Sequence, residues 1–288
     1  MKRIVFTALL ICCGLHSHAQ KMRVQEEETI RRSLSFAQNT DRLLILKNIS
    51  GSIEIEGYEG NTVEMEARQV LKGRDQAALE HAKEEVRLIT RVEGDIILIY
   101  PEDPDVKAEL KGRRFHYHVN RHDPDYHSHY DFRLRVPRNV SLQASTVNDG
   151  EVRVKNVEGK NIQLHNVNGS IKADKVSGLT EAHTVNGEIE VSYTQKPTQD
   201  AEFHTINGDI NVICPENLSA DVRFKSMNGD LYTNYPEVQT KPGIEQTSAE
   251  KGNKKMYRLN QSTLLQINNG GPLLDFNVLN GNVYVKKY

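Results

Sequence analysis

Residues 166–171 read NVNGSI, residues 184–189 TVNGEI and residues 205–210 TINGDI, flanked by TVNDGEV at 146–152 and SMNGDL at 226–231. The glycines of these units fall at 150, 169, 187, 208 and 229, a period of 18–21 residues. Weaker glycine turns lie between the first three, at Asn156-Val157-Glu158-Gly159 and Lys175-Val176-Ser177-Gly178. Two readings compete. Asn-Gly between alternating apolar residues is a strong hairpin signal, because both residues tolerate positive φ, and it leads to an antiparallel meander. In a β-solenoid, each rung instead carries one strong and one weak corner and stacks on the next. The alternation favours the solenoid, since a meander gives no reason for every second corner to keep Asn-Gly. Stacking would also align Asn168, Asn186, Asn207 and Asn228 in a hydrogen-bonded ladder.

Outward from the repeat, Leu43-Leu44-Ile45-Leu46 begins a strand, and Ile53, Ile55, Val63 and Met65 continue the two-residue alternation. Residues 74–85 (RDQAALEHAKEE) lack Gly, Pro and β-branched residues and predict a short helix. Val86 to Val92 and Ile96 to Tyr100 flank Glu93-Gly94-Asp95 as a hairpin. Residues 101–130 and 237–256 are polar or broken by proline and read as loop excursions, and Leu264, Ile267 and Phe276 as the end of the stack. The expectation is a mostly β chain: a parallel, β-helix-like solenoid over 41–288 with 18–21-residue rungs, one short helix near 74–85, and a polar lead-in over 21–40.

The T-[VI]-N-G-[DE]-[IV] units follow Val136-Pro137, and the chain closes with Ile267-Asn268-Asn269-Gly270-Gly271 and Leu279-Asn280-Gly281-Asn282-Val283. This pattern resembles the DUF4097 family of exported β-strand-repeat proteins, common in Bacteroidota and labelled adhesins, and the related auto-transporter adhesin head (GIN) domains. The resemblance spans roughly residues 40–288 and implies a parallel β-solenoid. It brings no established reaction and no catalytic residues.

The N-terminus has the layout of a secretory signal over 1–20: Lys2 and Arg3, the apolar Ile4 to Gly14, then Ser17-His18-Ala19. Its apolar run is shorter than a bilayer span requires, so an exported protein of the periplasm or cell surface is expected. Ile11 before Cys12, and Cys12 before Cys13, do not make a lipidation site. Cys214 is then the single cysteine of the mature chain and reads as a small buried hydrophobe. With 37 Lys+Arg against 39 Asp+Glu, the chain lacks the basic excess of nucleic-acid binders.

Three surface features offer chemistry. His116, His118, His122, His127 and His129 place five of the 11 histidines within a short segment. A hairpin turning at Asp123-Pro124-Asp125 would bring His116 and His118 to His127 and His129, a set suited to Zn²⁺ or another transition metal. The alternative is an exposed polar loop without a cofactor. Glu151, Ser170, Glu188, Asp209 and Asp230 follow the turn glycines, so stacking would line carboxylates along one edge. Such a row suits a carbohydrate-active enzyme or Ca²⁺, or simply a solvated edge. Tyr117, Tyr126, Tyr130, Tyr193, Tyr232, Tyr235 and Tyr257 suit either a sticky surface or part-buried strand positions. There is no G-x-S-x-G elbow, Walker loop or Rossmann fingerprint. The functional expectation is a non-enzymatic envelope module that binds a protein or glycan, with self-association through exposed end rungs as a further property.

Overall fold

The protein, described by a computed structural model, is resolved into residues 24–37, 41–120, 125–241, 244–251, 254–261 and 263–288. The expected signal segment and His122 lie outside the described residues. The strands are, in chain order, β1 (Val24–Ser35), β2 (Leu43–Lys47), β3 (Ile53–Tyr58), β4 (Thr62–Gly73), β5 (Arg87–Glu93), β6 (Ile96–Glu102), β7 (Val106–Lys111) and β8 (Arg114–Val119). Then come β9 (Tyr126–Pro137), β10 (Ser141–Ser145), β11 (Val152–Lys155), β12 (Glu158–His165), β13 (Ile171–His183), β14 (Ile189–Tyr193), β15 (Ala201–Asn207) and β16 (Ile210–Cys214). The last are β17 (Ala220–Asn228), β18 (Leu231–Thr233), β19 (Val238–Lys241), β20 (Ile244–Lys251), β21 (Lys254–Gln261), β22 (Thr263–Ile267), β23 (Leu273–Asn280) and β24 (Val283–Lys287). The helix α1 spans Gln76–Glu85, where Asp75 caps it by accepting the Ala78 N–H, and Ala78, Leu79 and Ala82 are buried.

The repeat builds stacked rungs, not a meander. A front sheet runs β1-β4-β9-β3-β11-β13-β14-β16-β24-β18 and a back sheet runs β5-β6-β2-β10-β12-β13-β15-β23-β17-β22-β19. The middle of both sheets is parallel, and β13 bends across a weak corner to serve both. Antiparallel strands finish the stack at both ends: β1 and β4, and β5, at one, β22 and β19 at the other. Alternate residues point inward, so Ile171, Ile189 and Ile210 from the front meet Leu164, Ala182 and Phe203 from the back in one continuous core.

The corner motif is explained residue by residue. Thr184 and Thr205 are buried, and their hydroxyls donate to the Gly169 and Gly187 carbonyls of the preceding rung at 2.9 and 3.1 Å. The asparagine amides run as a ladder: Asn168 to Asn148, Asn186 to Asn168 and Asn207 to Asn186, at 2.8, 2.9 and 2.8 Å. The glycine has a different role from the one a hairpin gives it. A Cβ on Gly187 would lie 2.3 Å from the Gly169 oxygen, so close approach of the neighbouring rung demands glycine there.

Four local expectations are corrected. Residues 24–35, read as polar lead-in, form β1, whose 12 residues pair with β4 throughout. The segment read as an excursion over 101–130 holds the β7–β8 hairpin and the start of β9. Val106, Ala108, Leu110, Phe115, Tyr117 and Val119 alternate along its two strands, and Ala108, Leu110, Phe115 and Tyr117 pack on Leu43, Ile45, Leu98 and Tyr100. That cover explains why β2 is buried on both faces. The described residues from Val238 onward in the segment read as an excursion over 237–256 are strand as well, in β19 and the separate β20–β21 ribbon. Finally, Phe276 is not at the end of the stack. β23 and β24 insert between β15–β16 and β17–β18, so Asn280 bridges Asn207 and Asn228 in the ladder at 2.8 Å on both sides.

Candidate functional site

Inward positions of the back sheet are apolar; the outward ones hold its chemistry. Register brings His165, His183 and His204 side by side on β12, β13 and β15, between Ser145 on one flank and Asn277 on the other. Two residues earlier on the same strands, Gln163, Glu181 and Glu202 form a second column. His165 and His183 stack at 5.3 Å between ring centroids, and His204 meets His183 edge-on at 5.7 Å.

Glu181 is the hub of this stripe. Its Oε1 lies 2.9 Å from His165 Nε2 and 3.2 Å from His183 Nδ1. Its carboxyl is held below the usual range, first by contact with His165, then by His183 and Lys47 in the same field. Burial pushes the His183 imidazole below its ordinary value, with Glu181 and Glu202 opposing and His165 and His204 reinforcing the shift. The Nε2 atoms of His165 and His183 are shielded from water; that of His165 faces Glu181, and that of His183 has Glu202 Oε1 at 3.7 Å. Among the described residues, His165, Glu181 and His183 are a group whose ligand atoms all lie within 4.8 Å of one another.

Beside the stripe, a cleft of about 440 Å³ opens between the β7–β8 hairpin and the corner after β2. Phe115, Tyr117, Val119 and Val147 supply apolar walls and Lys47 a cation, lowered in pKa by burial and partly restored by Glu181.

The residues singled out in the sequence are dispersed. β8 pairs with β7, not β9, so His116 and His118 sit on the exposed face of the hairpin. His118 Nε2 lies 2.8 Å from Asn120 Oδ1. His127 and His129 are on β9 against β4, and His129 is held by Ser50 Oγ at 3.1 Å and Asp131 Oδ2 at 3.2 Å. The carboxylate row is interrupted: along the corners Ser170 separates Glu151 from Glu188, and Asn282 separates Asp209 from Asp230. Glu188 and Asp209 remain neighbours, with Asp209 Oδ1 accepting the Asn282 N–H at 2.8 Å. Of the tyrosines, 126, 130, 193 and 235 are buried, while Tyr232 is exposed and stacks on Tyr284 at 5.2 Å. The side chain of Tyr257 lies outside the described residues.

The histidine stripe was missed although the repeat carries it. His165, His183 and His204 each stand four residues before the corner glycine, at 169, 187 and 208. Aligning the repeats on their glycines exposes that column; counting histidines along the chain draws attention to the denser segment near residue 120.

Residues 137–263 match the model of the Toastrack DUF4097 family, as the resemblance implied. Solved structures similar to this chain include a "putative cell adhesion protein" of Clostridium sporogenes, 11% identical over 92% of this chain and 100% of that one, with a TM-score of 0.44. A "putative adhesin" of Bacteroides fragilis is 9% identical over 91% of this chain and 97% of that one, with a TM-score of 0.32. A "putative lipid binding protein" of Parabacteroides distasonis is 12% identical over 91% and 96%, with a TM-score of 0.23. No curated protein matches the sequence.

Proposed function

We propose that this Toastrack DUF4097 chain is an exported, non-enzymatic module of the cell envelope that binds a protein or glycan through the outer faces of its sheets. The observation that carries the reading is the back-sheet stripe, in which polar side chains recur at rung spacing on an open face. Repeated, register-locked groups suit an extended partner surface, because solenoids present their faces as long recognition platforms. The layout of residues 1–20 supports export.

The test is a pull-down from cell-envelope extract with the chain beginning at residue 21. Glu181→Lys combined with Glu202→Lys reverses charge in the stripe and, on this reading, releases what the parent chain retains. A partner retained equally by both, or none retained, overturns the reading. Polysaccharide turnover that disappears in Glu188→Gln or Asp209→Asn would instead make the chain a carbohydrate-active enzyme.

A further inference from the structure

We infer that His165, Glu181 and His183 form a surface site for a divalent transition-metal ion of the Zn²⁺ class, with the stacked rungs as its scaffold. This inference is independent of the proposed function and of the histidines near residue 120.

Geometry supports it first. Ligands held ~2.0–2.1 Å from a tetrahedral ion are about 3.3 Å apart. His165 Nε2 and His183 Nδ1 lie 2.9 and 3.2 Å from the same Glu181 oxygen. The donor set also fits: two neutral imidazoles and one carboxylate suit Zn²⁺ and leave a fourth position for water or an outside ligand.

The surroundings agree with that assignment. A ligating histidine commonly directs its other ring nitrogen at a carboxylate, which fixes its orientation. His183 Nε2 has Glu202 Oε1 at 3.7 Å, where a small rotation makes that bond. The backbone is prepared as well. His165 and His183 are register partners on parallel strands, and Glu181 shares a strand and a face with His183, so the three Cα positions are set by sheet hydrogen bonds.

The experiment is calorimetric titration of the untagged chain with ZnCl₂ at pH 7.5. One saturable site with a micromolar or tighter Kd is expected. Glu181→Gln and His183→Ala should each weaken it at least tenfold, Glu202→Gln less, and the pair His116→Ala with His118→Ala not at all. Circular dichroism without metal checks that each variant is folded. Should the stripe variants fail to fold, imidazole resonances of the parent chain decide: those of His165 and His183 must shift on Zn²⁺ addition, and no shift overturns the site. Absence of saturable binding, or binding lost only with His116 and His118, overturns it too.

Discussion

The side chain that best shows how the corners work is one that is missing. At Gly187 and Gly208, a Cβ would meet the carbonyl oxygen of the adjacent rung at 2.3 and 2.1 Å. Gly187→Ala is therefore expected to cost about 1–3 kcal/mol, as overpacking does, read as a lower thermal midpoint. Cys214 is fully buried and its thiol is pushed up to about 12 by desolvation. Thiol reagents at pH 8 should leave it unmodified in the native chain and label it once denaturant is added; labelling of the native chain would contradict its burial. His183 sets a pH response. Its pKa is lowered in the folded state, so below the ordinary value near 6.5 the unfolded chain takes up the proton more readily. Stability should fall as pH drops from about 6.5 toward the depressed folded value, a loss that Glu181 and Glu202 temper and His165 and His204 increase. His183→Gln should flatten this part of a urea-midpoint profile against pH, and an unchanged profile would assign the slope elsewhere.

Among the elements, the β7–β8 hairpin illustrates how a charged stretch can still be structured. Its sequence VKAELK…RFHYHV alternates with period two, and the outward Lys107, Glu109, His116 and His118 mask an inward apolar row. Phe115 and Tyr117 close on Tyr100 at 5.0 and 5.9 Å and cover the outer face of β2 and β6. Phe115→Ala should cost about 2 kcal/mol and raise proteolytic cleavage within 106–119, because the deleted ring is a large share of that contact. Proline-flanked charge led to the reading of an excursion, whereas the alternation inside it was legible. The helix and the β5–β6 hairpin were legible too, since both are specified by local propensity and turn chemistry.

At the scale of the whole molecule, the decisive feature is the return of the chain into its own stack. β23 and β24 are sandwiched between strands that precede them by 52 and 73 residues, and Phe276 stacks on Phe203 at 4.9 Å. Phe276→Ala should cost about 3–5 kcal/mol, and truncation at residue 270 should prevent a monodisperse product on gel filtration, because β15–β16 and β17–β18 would face each other across a missing rung. Short-range pattern alone determined the β class, the rung length, the inward residues and the asparagine ladder from Asn168 to Asn207, because a two-residue alternation and a recurring corner are properties of neighbours along the chain. The insertion of the last rung, with Asn280 between Asn207 and Asn228, and the cover over β2 depend on which strands lie side by side. Only the tertiary structure decided these, since register between strands far apart in sequence is settled by packing and backbone pairing across the sheets.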